Sequence, residues 1–146
     1  MRRGRGERGE TLIETLVTVM LMGTAITGLI GGITAAIGAS DNSKQVVTAQ
    51  VVAQNFAEAI QAAPYVECTT SYTTAQVGYT PPNGYAVTNP TVAFYDGTSN
   101  PAVFGAAPAG CSAATPKDNG AQRLTLRVAA PNGITVRTLE IVKRRP

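Results

Sequence analysis

The fold of this protein is decided near its N-terminus by the stretch ETLIETLVTVMLMGTAITGLIGGITAAIGAS, residues 10–40. From Thr15 to Ser40 this stretch contains 26 consecutive residues without a charge. Because about 20 helical residues cross a bilayer core of about 30 Å, the run is long enough to span a membrane. It is also longer than the apolar region of a cleaved signal peptide, which has about 7–15 residues. The sequence therefore predicts a membrane-spanning segment that is not part of a soluble core.

The charges are distributed unevenly along the chain. Residues 1–9 contain four arginines and one glutamate, a net charge of +3, whereas residues 10–146 are neutral overall. Arginines before an apolar run predict that the N-terminus stays in the cytoplasm and that the rest of the chain is exported. The basic balance is therefore a topology signal, and nucleic acid is an unlikely partner. The block Lys143-Arg144-Arg145 is expected to be a solvated chain end.

The residue types limit the chemistry that the chain can perform. The sequence contains no histidine, which excludes Ser-His-Asp triads, Cys-His pairs and histidine-ligated metals. We therefore expect neither catalysis nor a cofactor or metal. The two cysteines, Cys68 and Cys111, lie far apart, and in an exported domain an even count favours one disulfide. Closing so long a loop should contribute about 2–4 kcal/mol.

One long helix is predicted over residues 10–62, after a leader of residues 1–9 and before an exported β domain of residues 64–146. Residues 12–40 form its apolar half. The second half is amphipathic, because apolar residues recur on one face and polar residues occupy the other. The apolar stripe contains Val52, Phe56 and Ile60, and the polar face contains Gln50, Gln54, Glu58 and Gln61.

The ends of this helix can also be read from the sequence. Pro64 cannot continue a helix and disfavours helical angles at Ala63, so the end is expected near residue 62. The segment 39–44 leaves an alternative open, because Ser40 or Asp41 could cap a separate second helix.

A β-hairpin is predicted at the C-terminal end of the chain. Apolar Leu124, Leu126 and Val128 alternate with polar residues, and Pro131-Asn132-Gly133 supplies a turn. The return strand changes phase, with Ile134 and Val136 inward first and Leu139 and Ile141 afterwards. This change predicts a β-bulge near Arg137-Thr138.

Two further short strands are predicted at 85–88 and 91–95. Together with the hairpin they form an antiparallel sheet of three or four strands on the amphipathic half of the helix, an α+β fold. Residues 69–110 contain one charge, Asp96, and many turn-forming residues. We expect much of this segment to be an irregular surface loop pinned by the disulfide.

The segment Gly9-Glu10-Thr11-Leu12-Ile13-Glu14 resembles the cleavage and methylation motif of type IV prepilins and type II secretion pseudopilins. In that family a basic leader ends in glycine, and Phe-Thr-Leu-Ile-Glu and an apolar run follow. Gly9 matches the last leader residue, and residues 11–14 match positions two to five of the mature chain. Glu10 departs from the family pattern, which has Phe there.

The resemblance implies a pilin-like fold and a structural, non-enzymatic role as a minor pilin or pseudopilin. A prepilin peptidase would cut after Gly9 and N-methylate the new α-amine of Glu10. The other implied partners are the membrane before assembly, neighbouring pilin or pseudopilin subunits, and, indirectly, an assembly platform protein and an ATPase. The subunit would lie in the cytoplasmic membrane first and in an extracellular or cell-surface filament afterwards.

Glu14 is the residue whose position most needs an explanation. An acidic residue at the centre of a membrane helix costs about 2.5–3.5 kcal/mol on insertion scales. The α-ammonium of residue 10, from the same or a neighbouring subunit, is the nearest cation that could offset this cost. Pairing between subunits would favour one register of assembly. The plainer alternative is a glutamate that snorkels to the interface in an ordinary signal anchor.

Other functions also fit the sequence. The chain could be an uncleaved, single-pass anchored surface domain that binds a glycan or adhesion target through exposed Tyr72, Tyr79 and Tyr85. A third function is DNA binding by Arg123, Arg127 and Arg137 on exposed strand faces. Gly28 and Gly32 form a GxxxG motif, which fits either close helix approach or weak helicity.

Overall fold

The computed structural model describes residues 7–112, 115 and 117–146, with side chains from residue 12 onward. One long helix, α1 (Glu7–Ala62), precedes four strands. The strands are β1 (Ala86–Tyr95), β2 (Phe104–Gly105), β3 (Ala121–Ala129) and β4 (Val136–Arg144). They form one antiparallel sheet in the order β2-β1-β3-β4, so the predicted α+β class is confirmed.

The helix is continuous through residues 39–44, so the alternative of a separate second helix is wrong. Its end at Ala62 agrees with the effect expected of Pro64, which has no N–H to donate to the preceding turn. Backbone contacts nevertheless divide the chain into two units, residues 1–41 and 42–146. The C-terminal part of α1 belongs to the second unit, together with the whole sheet.

The core of the second unit lies between the helix stripe and one face of the sheet. Phe56 and Ile60 pack with Leu124 and Leu126, and all four side chains are fully buried. A neighbouring cluster joins Ala49, Val52 and Ala53 of α1 to Val128 of β3. The predicted apolar stripe of the helix and the inward face of β3 are therefore confirmed.

The strand β4 runs in a different phase from the one predicted. The β3–β4 ladder is regular from Ala121↔Arg144 to Ala129↔Val136, so the predicted bulge at Arg137-Thr138 is wrong. Val136 faces outward and is 38% exposed, and Ile134 is 86% exposed. In an unbroken ladder, successive side chains point to opposite faces of the sheet. Because Leu139 and Ile141 point inward, the even-numbered residues of β4, including Val136, point outward.

The irregular register occurs in β1 instead. The predicted strands at 85–88 and 91–95 are one strand, and its pairing with β3 shifts between Thr88 and Thr91. Pro90 lies in this interval and is buried. Since proline has no N–H for the ladder, it is found in sheets at bulges and edges. Pro90 also lies beyond the reach of β2, which pairs only with Phe94 and Tyr95.

The expectation of an irregular surface loop over residues 69–110 is wrong in large part. Besides the strands predicted at 85–88 and 91–95, which form the interior strand β1, this segment supplies the buried side chains of Tyr72 and Phe94. Charge and turn content misled the prediction, because valine, threonine and aromatic residues favour strands without any need for charge.

The two Pro-Asn-Gly turns lie against each other. The N–H of Gly133 donates to the Ala130 carbonyl at 2.9 Å, as expected for a β-turn. At the other turn Gly84 has φ +84°, and a Cβ there would lie 2.9 Å from Cγ of Pro131. Glycine is therefore required at 84 both by the backbone angle and by the approach of the hairpin turn.

Candidate functional site

The first candidate site is the exposed apolar surface of α1 between Leu12 and Asp41. The exposed fraction of each of its large apolar side chains lies between 49% and 69%. These side chains are Leu12, Ile13, Leu16, Val17, Val19, Met20, Leu21, Met22, Ile26, Leu29, Ile30, Ile33 and Ile37. Soluble proteins rarely leave so long a contiguous apolar surface uncovered, so this segment requires lipid or other protein surfaces.

The threonines of this segment do not interrupt its apolar character. Four hydroxyl groups donate to the backbone carbonyl four residues earlier, at distances of 2.7–3.2 Å. The donors are Thr18, Thr24, Thr27 and Thr34. Because these hydroxyls bond within the helix, they can enter hydrocarbon without losing a partner.

Glu14 is the charged side chain of this surface. Between Leu12 and Ser40 the sequence contains no other charged residue. The Glu14 side chain is exposed, and its backbone carbonyl accepts a hydrogen bond from the Thr18 hydroxyl at 2.7 Å. The backbone of Gly9 and Glu10 belongs to α1, but the side chain of Glu10 and residues 1–6 lie outside the described part of the chain. The predicted cleavage and methylation site therefore stays a prediction.

The glycines of the apolar segment have no close neighbour within the described chain. A Cβ added at Gly23, Gly28, Gly31, Gly32 or Gly38 would meet nothing within 4 Å. No contact within the described residues therefore requires glycine at these positions. Their effect is to leave flat places on the helix, where another helix can approach closely.

By length and composition this helix could cross a membrane. The qualifying apolar window contains no buried residue, which separates it from the core helix of a soluble protein. The coarse prediction of a candidate membrane-spanning helix is therefore confirmed.

The second candidate site is the C-terminal end of α1, where Lys143 of β4 binds the helix. Its ammonium donates to the carbonyl oxygens of Ile60 at 2.6 Å, Gln61 at 3.2 Å and Ala63 at 2.7 Å. Lys143 is only 5% exposed, so the expectation of a solvated Lys143-Arg144-Arg145 chain end is wrong for this residue. Burial lowers the pKa of the Lys143 ammonium. The free carbonyls and the negative end of the helix dipole favour its charged form.

A buried polar network lies beside this lysine. One carboxylate oxygen of Asp118 accepts from the Tyr65 hydroxyl at 2.7 Å and from the Gln122 amide at 2.6 Å. The Gln122 amide also donates to the Val66 carbonyl, and its oxygen accepts from the Tyr72 hydroxyl at 3.0 Å. The network therefore fastens the segment that follows α1 to the start of β3.

These contacts shift the titration of the groups involved. Burial alone would raise the pKa of Asp118, but the hydrogen bonds from Tyr65, Gln122 and backbone N–H groups outweigh it. The pKa of this carboxyl therefore lies below its ordinary value. Burial and the hydrogen bond to Asp118 raise the pKa of Tyr65, and burial raises that of Tyr72.

Two further links hold the same end of the molecule. The Arg145 guanidinium pairs with Glu67 at 2.8 Å and donates to the Asp118 carbonyl at 2.8 Å. Cys68 and Cys111 form a disulfide with their Cα atoms 5.5 Å apart, so the predicted pairing is confirmed. The sequence indicated the disulfide, but no local pattern indicated Lys143, Asp118 or Gln122 as partners.

The residues named for the alternative functions do not form shared surfaces. Tyr72 is 2% exposed, and Tyr79 and Tyr85 pack against the core, so the expected exposed tyrosine surface is wrong. Arg137 pairs with inward-facing Val128, whereas Arg123 and Arg127 lie on the opposite face of the sheet. The three arginines proposed for DNA binding therefore do not lie together.

Comparison with family models, curated proteins and solved structures found no match.

Proposed function

We propose that this protein is a structural subunit, a minor pilin or pseudopilin, of a type IV pilus-like or type II secretion-like filament. Its apolar helix segment would first lie in the cytoplasmic membrane and then pack against the helices of neighbouring subunits. The observation that carries the proposal is the exposed apolar surface between Leu12 and Asp41, with one carboxylate, Glu14, near its start.

The exposed surface supports both stages of this role. Apart from Glu14, lipid can cover this surface at little cost, because the other side chains are apolar or are threonines whose hydroxyls bond to their own helix. Other helices can replace the lipid, since five glycines leave room for close approach. A segment that must exchange one apolar environment for another needs these properties together.

Glu14 supports the proposal through its position. In the proposed mature chain, which begins at Glu10, it lies one helical turn from the new α-ammonium. Cleavage after Gly9 removes the leader with its net charge of +3 and leaves this single cation at the membrane edge. The cation of one subunit would neutralise Glu14 of the next, and only one axial register brings the two together.

The second unit supports a structural role more than a binding role for the tyrosines. Tyr72 is buried and Tyr79 and Tyr85 pack against the core, so these three tyrosines do not form the binding surface expected of them. The disulfide fits an exported location, because such bonds persist in oxidising compartments.

Mass spectrometry of the mature N-terminus tests the proposal. Protein recovered from the cells that make it is expected to begin at Glu10, with or without a methyl group on the α-amine. The Gly9→Leu variant is expected to keep its leader. Wild-type protein that still begins at Met1 or Arg2 would contradict the proposal and leave an uncleaved anchor.

A further inference from the structure

A groove on the outward face of the sheet has no role in the proposed filament subunit. It lies where β1 and β4 end and β3 begins, and it encloses about 410 Å³. Its floor includes Ala121, which pairs with Arg144 in the β3–β4 ladder. These residues point away from the helix, because Leu124 and Leu126 of the same strand fill the opposite face.

Aromatic side chains form the walls of the groove, and small residues form its floor. The rings of Tyr95 and Phe104 are in contact, with centroids 5.9 Å apart and planes tilted by 45°. Ala102, Gly120 and Ala121 are the small residues that leave the space open. The volume lies within the range of about 300–1,000 Å³ typical of small-molecule sites. It suits one or two rings of a ligand rather than a long chain surface.

The charged groups around the groove are cationic, and only some of them have a partner within the protein. No carboxylate belongs to the described residues that line it. The Arg145 guanidinium pairs with Glu67, and that of Arg123 lies over the Phe104 ring at 5.3 Å. Arg144 is exposed and forms no ion pair with a described residue, so its guanidinium is available to an anion.

We propose that this groove binds a carboxylate-bearing sugar of an acidic polysaccharide. The Arg144 guanidinium would hold the carboxylate through two parallel hydrogen bonds, which its planar shape favours. The ring of the sugar would lie against Tyr95 and Phe104, whose apolar surfaces match its C–H faces. This binding site does not depend on cleavage after Gly9.

A nucleic acid fits the groove less well than a sugar acid. Affinity for a nucleic acid comes mainly from several phosphate contacts along its backbone. The groove offers one guanidinium without an ion pair to a described residue, that of Arg144. On the same face of the sheet, Glu140 of β4 pairs with the β3 position between Arg123 and Arg127, so a negative charge lies among these positive ones. The positive charge available to a ligand is therefore confined to Arg144, which suits one carboxylate better than a row of phosphates.

Binding to polygalacturonate by the full chain in detergent tests the proposal, with dextran as the neutral control polymer. Biolayer interferometry is expected to show saturable binding to polygalacturonate and none to dextran. Arg144→Ala should weaken the affinity at least about tenfold, because it removes a charge-assisted pair. Ala121→Leu keeps every charge but fills the floor, and it should weaken binding to a similar degree.

Arg127→Ala is the matched control, since it removes an equal charge from the same face outside the groove. It should change the affinity by less than about twofold, as expected for a screened, distant charge. Equal losses in Arg127→Ala and Arg144→Ala would overturn the proposal, and so would unchanged binding by Ala121→Leu. Absence of binding to polygalacturonate, or equally tight binding to duplex DNA, would also overturn it. None of these results bears on the mature N-terminus, so the filament proposal is tested separately.

Discussion

The Nζ atom of Lys143 lies 2.6 Å from the carbonyl oxygen of Ile60, across 83 positions of sequence. This contact joins the last strand to the last turn of α1. A helix end leaves four carbonyls without intrahelical partners, and here one ammonium binds two of them, those of Ile60 and Gln61. The C-terminal end of α1 is therefore held by the charged ammonium of Lys143. The preceding turns of the helix are held by apolar packing against the sheet.

Replacing Lys143 by methionine should destabilise the second unit by about 2–3 kcal/mol, because buried carbonyls lose their donor while the apolar stem is kept. Thermal unfolding of the full chain in detergent, followed by circular dichroism, measures the change. Arg127→Met is the control, and it should shift stability by less than about 0.5 kcal/mol since that side chain is exposed. Equal stability of the two variants would contradict a stabilising role for the lysine.

The Asp118 network should make the protein sensitive to acid. The folded-state pKa of Asp118 lies below its ordinary value, so the folded protein binds this proton less readily than the unfolded chain does. The stabilisation is therefore complete above about pH 4, the ordinary value of an aspartate, and is lost as the pH falls through the folded-state pKa. Urea unfolding between pH 7 and pH 2 should show this decline.

Asp118→Asn separates this group from the other carboxylates. The variant should be less stable at pH 7, because its amide has one accepting oxygen, whereas Asp118 accepts from Tyr65 and Gln122 with one oxygen and from the Gly120 N–H with the other. Its stability should also change less with acid than that of the wild type. Glu58→Gln, at an exposed helix position, should keep the wild-type decline. An unchanged decline in Asp118→Asn would assign the acid sensitivity to other groups.

Removing the disulfide with the double variant Cys68→Ser, Cys111→Ser should cost about 2–4 kcal/mol, because the unfolded chain regains the freedom of a long loop. The bridge spans 43 positions and encloses β1 and β2. The midpoint of urea unfolding measures the loss, and reduced wild-type protein should share the midpoint of the double variant. Identical midpoints for reduced and oxidised wild type would show that the bridge contributes nothing.

Glu14→Gln should leave cleavage after Gly9 intact but lower incorporation into filaments. A tenfold loss would correspond to about 1.4 kcal/mol of association free energy. The ratio of sheared filament fraction to membrane fraction, measured in the cells that make the protein, gives the effect. Glu58→Gln on the same helix is the matched control and should assemble like the wild type. Undiminished assembly of Glu14→Gln would exclude the proposed pairing with the α-ammonium.

Several of the structural predictions that were confirmed rest on local sequence patterns. The apolar stripe of Val52, Phe56 and Ile60, the helix end before Pro64, and the alternation in β3 all follow from spacing over a few residues. Such spacing is set by the period of a helix or strand and does not depend on distant contacts. The phase of β4 was wrong because Ile134 and Val136 are apolar but exposed, and single exposed apolar residues are common.

Periodicity and cysteine count are properties of the chain alone, and they were sufficient to predict a long helix with an uncharged run of 26 residues, a small sheet after it and one disulfide. The contact of Lys143 with the end of α1, the burial of Tyr72 and the network shared by Asp118 and Gln122 became apparent only in the folded chain. Polar side chains carry no periodic signal for their partners. Their roles depend on which groups the folded chain brings within about 3 Å, where a hydrogen bond forms.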